Sequence, residues 1–274
     1  MIDAHHHLWD PAVRAYPWLD PTAHAPIHRP YALDDLRKET TAHGVTATVL
    51  VQTVATAEET AAFLATARAS DGLIAGVVGW ADLTAPELPL PEDPLLVGVR
   101  HQAEDEPDPR WLVRADVRRS LAALGARGLA YDVLVRAPQR QAALECVRGL
   151  DEVRFVLDHA GKPGIAAGEW DPWAAWITEA AACPNTVCKL SGLVTEAPWH
   201  TWTAEQLRPY ADHVLAAFGA DRVLFGSDWP VCELAGGYAA VRALTDELLA
   251  GCTTTEREAV LGGTARRVYG LHPG

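Results

Sequence analysis

The sequence predicts a single (β/α)₈ barrel spanning residues 1–274, and three observations carry that prediction. Short apolar, β-branched runs alternate with longer stretches of helical period, which is the signature of βα units on a parallel sheet. There are eight such runs. Polar, titratable residues gather at the C-terminal ends of most of them, where a barrel of this kind places its chemistry.

The strand candidates, in order, are 2–7, 47–54, 73–80, 95–100, 129–135, 153–159, 186–190 and 222–227. They read as near-continuous apolar runs, as strands buried on both faces do. Helices are expected at 57–69, 115–127, 139–149, 173–182 and 205–218, with a closing helix at 256–269. The first of these begins with glutamates and ends near an arginine, a charge order that complements the helix dipole. Residues 11–30, rich in Pro, His and Trp, read as a long first loop. Residues 82–94 carry four prolines and exclude a regular helix there. No internal repeat beyond the βα rhythm and no low-complexity linker divides the chain.

Composition narrows the function classes. A net charge of −13 repels phosphate backbones and anionic membrane surfaces, so neither nucleic acid nor a membrane is an expected partner. The five cysteines are odd in number and form no CxxC pair, which suits a reducing cytoplasm rather than a disulfide framework. No signal-peptide pattern and no bilayer-length apolar run is expected. Nothing in the sequence fixes an oligomeric state.

The strand ends supply the candidate site. Strand one ends in His5-His6-His7, and residues two apart share a strand face, so His5 and His7 point to one place. Strand four ends in Arg100-His101, and strand five contains Tyr131-Asp132. Strand six ends in Asp158-His159, strand seven carries Lys189 and Ser191, and strand eight ends in Ser227-Asp228-Trp229. An Asp among imidazoles suits a general base for a hydrolytic water. Histidines there bind a divalent ion or donate to a carbonyl oxygen. The expected catalytic set is Asp228, His159, His5 and His7, the same four being ligands if one ion is bound. Expected substrate-binding residues are Arg100, His101, Tyr131, Lys189 and Trp229. The plainer alternatives are that Asp228 caps a turn, Lys189 pairs with an acidic neighbour and Tyr131 packs in the core. Most of the ten tryptophans read as loop anchors.

Motifs along nearly the whole chain resemble the lactonase-like branch of the amidohydrolase superfamily. They include Ile2-Asp-Ala-His-His-His-Leu-Trp-Asp10, Val78-Gly-Trp-Ala-Asp-Leu83 and Gly98-Val-Arg-His101. The most specific are Leu157-Asp-His-Ala-Gly-Lys-Pro163, Cys188-Lys-Leu-Ser-Gly192 and Phe225-Gly-Ser-Asp-Trp-Pro-Val231. The resemblance implies a hydrolase that opens a sugar-acid or related carboxylic-acid lactone in carbohydrate catabolism, with a small-molecule lactone as its partner. Carried over by motif, His5 and His7 match the strand-one HxH, His159 the strand-six histidine and Asp228 the strand-eight aspartate. The chain departs from the two-metal pattern of the wider superfamily, because strand four ends in Arg100-His101 and strand five offers Tyr131-Asp132. One divalent ion, zinc or manganese, or none, is therefore expected. Gly263-Thr264-Ala265 also replaces the Asn-Ala pair usual before the last helix.

The expected mechanism has Asp228 activate water against a lactone carbonyl polarised by His5, His7 and His159, directly or through one ion, while Arg100 orients a carboxylate or hydroxyl. Two alternatives stand beside it. One is a metal-dependent decarboxylase of an aromatic acid on the same barrel, and the other is a non-catalytic, ligand-binding barrel.

Overall fold

A computed structural model describes residues 1–271. Eight parallel strands form one sheet in sequence order: β1 (Ile2–His6), β2 (Ala47–Val51), β3 (Ile74–Gly79), β4 (Leu96–His101), β5 (Ala130–Val133), β6 (Arg154–Leu157), β7 (Thr186–Leu190) and β8 (Val223–Phe225). The chain just past β8 closes the ring on β1, where Asp228 N donates to His5 O at 2.8 Å and His7 N to Trp229 O at 2.7 Å. The helices are α1 (Leu33–Ala42), α2 (Ala57–Arg68), α3 (Ala115–Ala126), α4 (Arg140–Arg148), α5 (Asp171–Ala181), α6 (Leu193–Glu196), α7 (Ala204–Phe218), α8 (Gly237–Leu248), α9 (Thr254–Glu258) and α10 (Thr264–Tyr269). None is long and apolar enough to cross a membrane, among the described residues.

All eight expected strands form, and the proline-rich stretch after β3 reaches β4 without a helix. Two full-length helices, α1 and α8, lie where the sequence had pointed to none. In α1 only Leu36 and Thr40 are buried, too few for a legible apolar period, and α8 opens on Gly237, a poor helix former. The expected closing helix is broken into α9 and α10 by a π-turn over Ala259–Gly263. A Cβ at Gly262 would come within 3.3 Å of the Ile2 side chain, so a glycine lets this turn approach the start of β1.

The barrel interior has two layers. Its floor is apolar, built from Val51, Val78, Ala130, Val156, Val187 and Leu224 and sealed by Val268 and Tyr269 of α10. Above it the inward positions turn polar: Arg100, Asp132, Asp158 and Lys189 are all buried. β1 changes register with β2 here. Asp3 faces Thr48 and His6 faces Leu50, so β1 holds one residue more than its partner, a bulge of the kind that re-aims side chains beside sites. Asp3 therefore turns out to the Tyr238 hydroxyl while His5 and His7 turn in.

Candidate active site

Four side chains from three strand ends meet at the top of the barrel. His5 Nε2 and His7 Nε2 lie 3.1 Å apart. Asp228 Oδ1 is 3.4 Å from His7 Nε2, 3.7 Å from His5 Nε2 and 3.9 Å from His159 Nε2. The backbone is held in sparsely populated conformations to achieve this. His159, Ala160, Lys162 and Asp228 all have positive φ, between 48° and 56°. Such residues cluster where surrounding structure over-determines them, commonly at functional sites. Glycines give the histidines room: a Cβ on Gly226 would lie 2.7 Å from His5 Cβ, and one on Gly192 2.6 Å from His159 Nδ1.

Hydrogen-bond partners fix what His7 can do. Its Nδ1 is 2.7 Å from Val51 O, a pure acceptor, so Nδ1 carries the proton. Burial, with Arg100 next, pulls its pKa down to about 3, so the ring is neutral and Nε2 presents a lone pair. That lone pair faces a carboxylate oxygen and a second imidazole nitrogen, an arrangement that calls for a cation between them. The spacing fits one, since donors 2.0–2.2 Å from zinc at tetrahedral angles lie roughly 3.3–3.6 Å apart. His5, His7 and Asp228 are thus a sound donor set for one divalent ion. His7 cannot serve as the direct donor to a carbonyl that the sequence allowed.

His159 is pulled down to about 4 by burial, against the nearby Asp228 charge. Its Nδ1 meets Ser191 Oγ at 2.9 Å. With the Ser191 hydroxyl donating there, the remaining proton sits on Nε2, facing Asp228. Burial raises Asp228 itself, so this carboxylate is a stronger base than one in water.

A charged layer underlies these groups. Lys189 Nζ lies 2.5 Å from Asp132 Oδ2, 2.9 Å from Asp158 Oδ1 and 3.0 Å from His5 Nδ1, with all three partners fully buried. Tyr269 donates to Asp132 from below at 2.9 Å. Arg100 reaches Asp158 at 3.0 Å and Gln52 Oε1 at 2.9 Å, and also bonds Gln52 O. Burial alone would raise Asp158, but Lys189, His5 and Arg100 hold it well below the usual carboxylate range. Burial and the Lys189 charge keep His5 neutral.

Above lies a cavity of about 290 Å³ with His7, His159, Arg100 and Asp228 at its base. Trp18, His24 and Trp199 line it, as do Glu104, Asp105, Arg136, Lys162 and Glu196. The structure thus gathers His5, His7, His159, Asp228 and Arg100, but not the other expected residues. Tyr131 points away from the barrel axis and packs edge-on to Phe155, because in β5 it alternates with the inward Asp132. His101 alternates with Arg100 in the same way, stacking on Trp111 and bonding Trp80 and Glu106. Trp229 packs on Tyr31 and donates to Glu233. Lys189 is sealed beneath the site as the ion-pair partner of Asp132 and Asp158, so it positions and does not touch a ligand. Arg100 lines the cavity, but its fork is already taken by Gln52 and Asp158. Sequence reading passed over Asp158 and Asp132 as site residues, although both sit at strand positions of the same inward parity as Arg100 and Lys189. It did not single out Glu104, Arg136, Lys162 and Glu196, which form this wall from the segments that follow four successive strands.

The sequence model of the family described as amidohydrolase matches residues 2–271. An L-fucono-1,5-lactonase of Burkholderia multivorans is 42% identical over 98% of this chain and 96% of its own length. Another, from Burkholderia ambifaria, is 38% identical over 86% of this chain and 82% of its own. The crystal structure of an amidohydrolase from Burkholderia multivorans with bound zinc superposes with a TM-score of 0.93 at 39% identity, covering 99% of each chain. With its barrel, its strand-end histidines and aspartate, and this match along the chain, the protein belongs to the amidohydrolase family.

Proposed function

We propose that this protein opens the ring of a sugar-acid lactone, using Asp228 to activate water. One observation carries the reading: a single buried carboxylate oxygen, Asp228 Oδ1, sits within 3.4–3.9 Å of three imidazole nitrogens at the base of a cavity. The high identity to named lactonases supports the substrate class.

In this reading Asp228 removes a proton from water as its oxygen attacks the lactone carbonyl carbon. His159, proton on Nε2, donates to the oxygen that gains charge. The ring C–O bond then breaks, and the proton held by Asp228 passes to the leaving alkoxide, giving a hydroxy acid that ionises. His5, His7 and Asp228 would hold one divalent ion, zinc before manganese given two imidazole donors. When bound, that ion supplies a Lewis acid for the carbonyl oxygen. Beneath them, Asp158 and Val51 O orient the two imidazoles. We also place the protein in cytoplasmic carbohydrate catabolism; its five cysteines are unpaired, as a reducing compartment leaves them.

The test is proton release from a panel of sugar and aromatic lactones, before and after chelation and zinc or manganese repletion. Release from a sugar lactone that falls on chelation and returns with metal is expected. Release unaffected by thorough chelation would remove the ion from the reading. CO₂ evolution from an aromatic acid, without lactone opening, would replace lactonase with decarboxylase.

A further inference from the structure

Every cation at the cavity wall is already claimed. Lys162 Nζ contacts both Glu104 oxygens, at 3.0 and 2.8 Å, and Glu196 Oε1 at 3.5 Å. Arg136 reaches Glu104 Oε2 at 3.0 Å and Glu196 Oε2 at 3.1 Å. The third, Arg100, is spent on Gln52 and Asp158. Against Lys162 and Arg136 the wall presents three carboxylates, Glu104, Asp105 and Glu196, set apart from the ion-holding Asp228 at the base. The Glu104, Glu196 and Lys162 side chains are only 12–13% exposed, with Arg136 half-exposed at the rim, so the Lys162 pairs are not loose surface contacts. The cluster also ties together the loops that follow β4, β5, β6 and β7, so it stands formed before any ligand arrives.

Among the described residues, a ligand carboxylate entering here meets no guanidinium or ammonium that is not already paired with a carboxylate. It must displace a glutamate already held by two cations, and it faces Asp105 while doing so. A ligand hydroxyl has no such problem, because carboxylate oxygens with spare lone pairs accept from it. The other side of the cavity offers Trp18, His24 and Trp199, with His24 6.1 Å from each tryptophan ring, a surface against which a sugar ring can lie.

Resting on the lactonase reading, we propose that Glu104 and Glu196 are specificity-determining residues: by occupying Lys162 and Arg136 they make the cavity select uncharged polyhydroxy lactones and turn away lactones that carry a carboxylate. Specificity of this kind comes from the repulsive element as much as from the attractive one.

The experiment compares galactonolactone with galactarolactone, which differ only by CH₂OH or carboxylate at C6. Both kcat/KM values, and inhibition of galactonolactone opening by the acidic compound, are measured for the metal-replete protein and for the E104Q/E196Q variant. Thermal melting confirms that the variant is folded, and E196Q alone serves if it is not. The wild type should favour the neutral lactone by about 100-fold or more, since like-charge juxtaposition discriminates strongly. The variant should reduce that ratio at least tenfold, mainly by tightening the acidic compound. Equal opening of both lactones by the wild type, or an unchanged ratio in a folded variant, overturns the inference and leaves the lactonase reading standing. Opening of neither compound nor any other lactone overturns the functional reading, and this inference falls with it.

Discussion

Lys189 shows how a single residue can serve a site without facing its cavity. Its ammonium lies between Asp132, Asp158 and the Nδ1 edge of His5, with no exposure to water. Removing its charge leaves two buried carboxylates without their shared partner. Breaking such a pair from one side costs about 3–5 kcal/mol, far more than the pair contributes over a well-packed apolar substitute. Lys189→Met is therefore expected to lower the unfolding free energy by about 3–5 kcal/mol in denaturant titration. It should also weaken divalent-metal affinity by about 10–100-fold, because Asp158, held in place by Lys189, orients His5 from behind. Unchanged stability and affinity would show that the charged layer is incidental.

At the scale of the element, the strand-end turns decide where the imidazoles sit. Gly192 follows β7 with φ +66°, and a Cβ there would intrude on His159. Gly128, before β5, has a similar φ of +72° with nothing within 4 Å. Both alanine variants share the left-handed backbone cost of roughly 1–2 kcal/mol. Only Gly192→Ala should also displace the imidazole, so we expect it to lose at least about tenfold in kcat/KM while Gly128→Ala keeps near-normal turnover, since misplacement by about 1 Å costs on the order of 100-fold. Equal activity in the two folded variants, measured side by side, would mean that His159 does not need its present position. The bulge in β1 belongs to the same scale. Simple alternation predicted that His5 and His7 share a face, and they do, but the register shift at Asp3–His6 lets Ala4 face the interior as well.

Across the whole molecule, the barrel was legible because eight apolar runs leave few other ways to bury them, and each site histidine stands at the end of one. Alternation also carried more than was taken from it. Asp132 and Asp158 share the inward parity of Arg100 and Lys189, whereas Tyr131 and His101 occupy the opposite one. The wall of Glu104, Arg136, Lys162 and Glu196 could not be read, because its members are tens of residues apart and meet only once the ring has closed. Helix α1 hid because its buried face is two residues wide. The closed ring in turn explains why Asp228 and His5 are neighbours at all, as the chain after β8 pairs with β1 through the Asp228 N to His5 O bond. The account rests on that aspartate. Its most direct test is the steady-state opening of a neutral sugar lactone by Asp228→Asn, with metal content and melting temperature matched to the wild type. The account predicts a fall in kcat of about 100-fold or more, the usual scale of a lost general base; turnover within a few-fold of the wild type would contradict it.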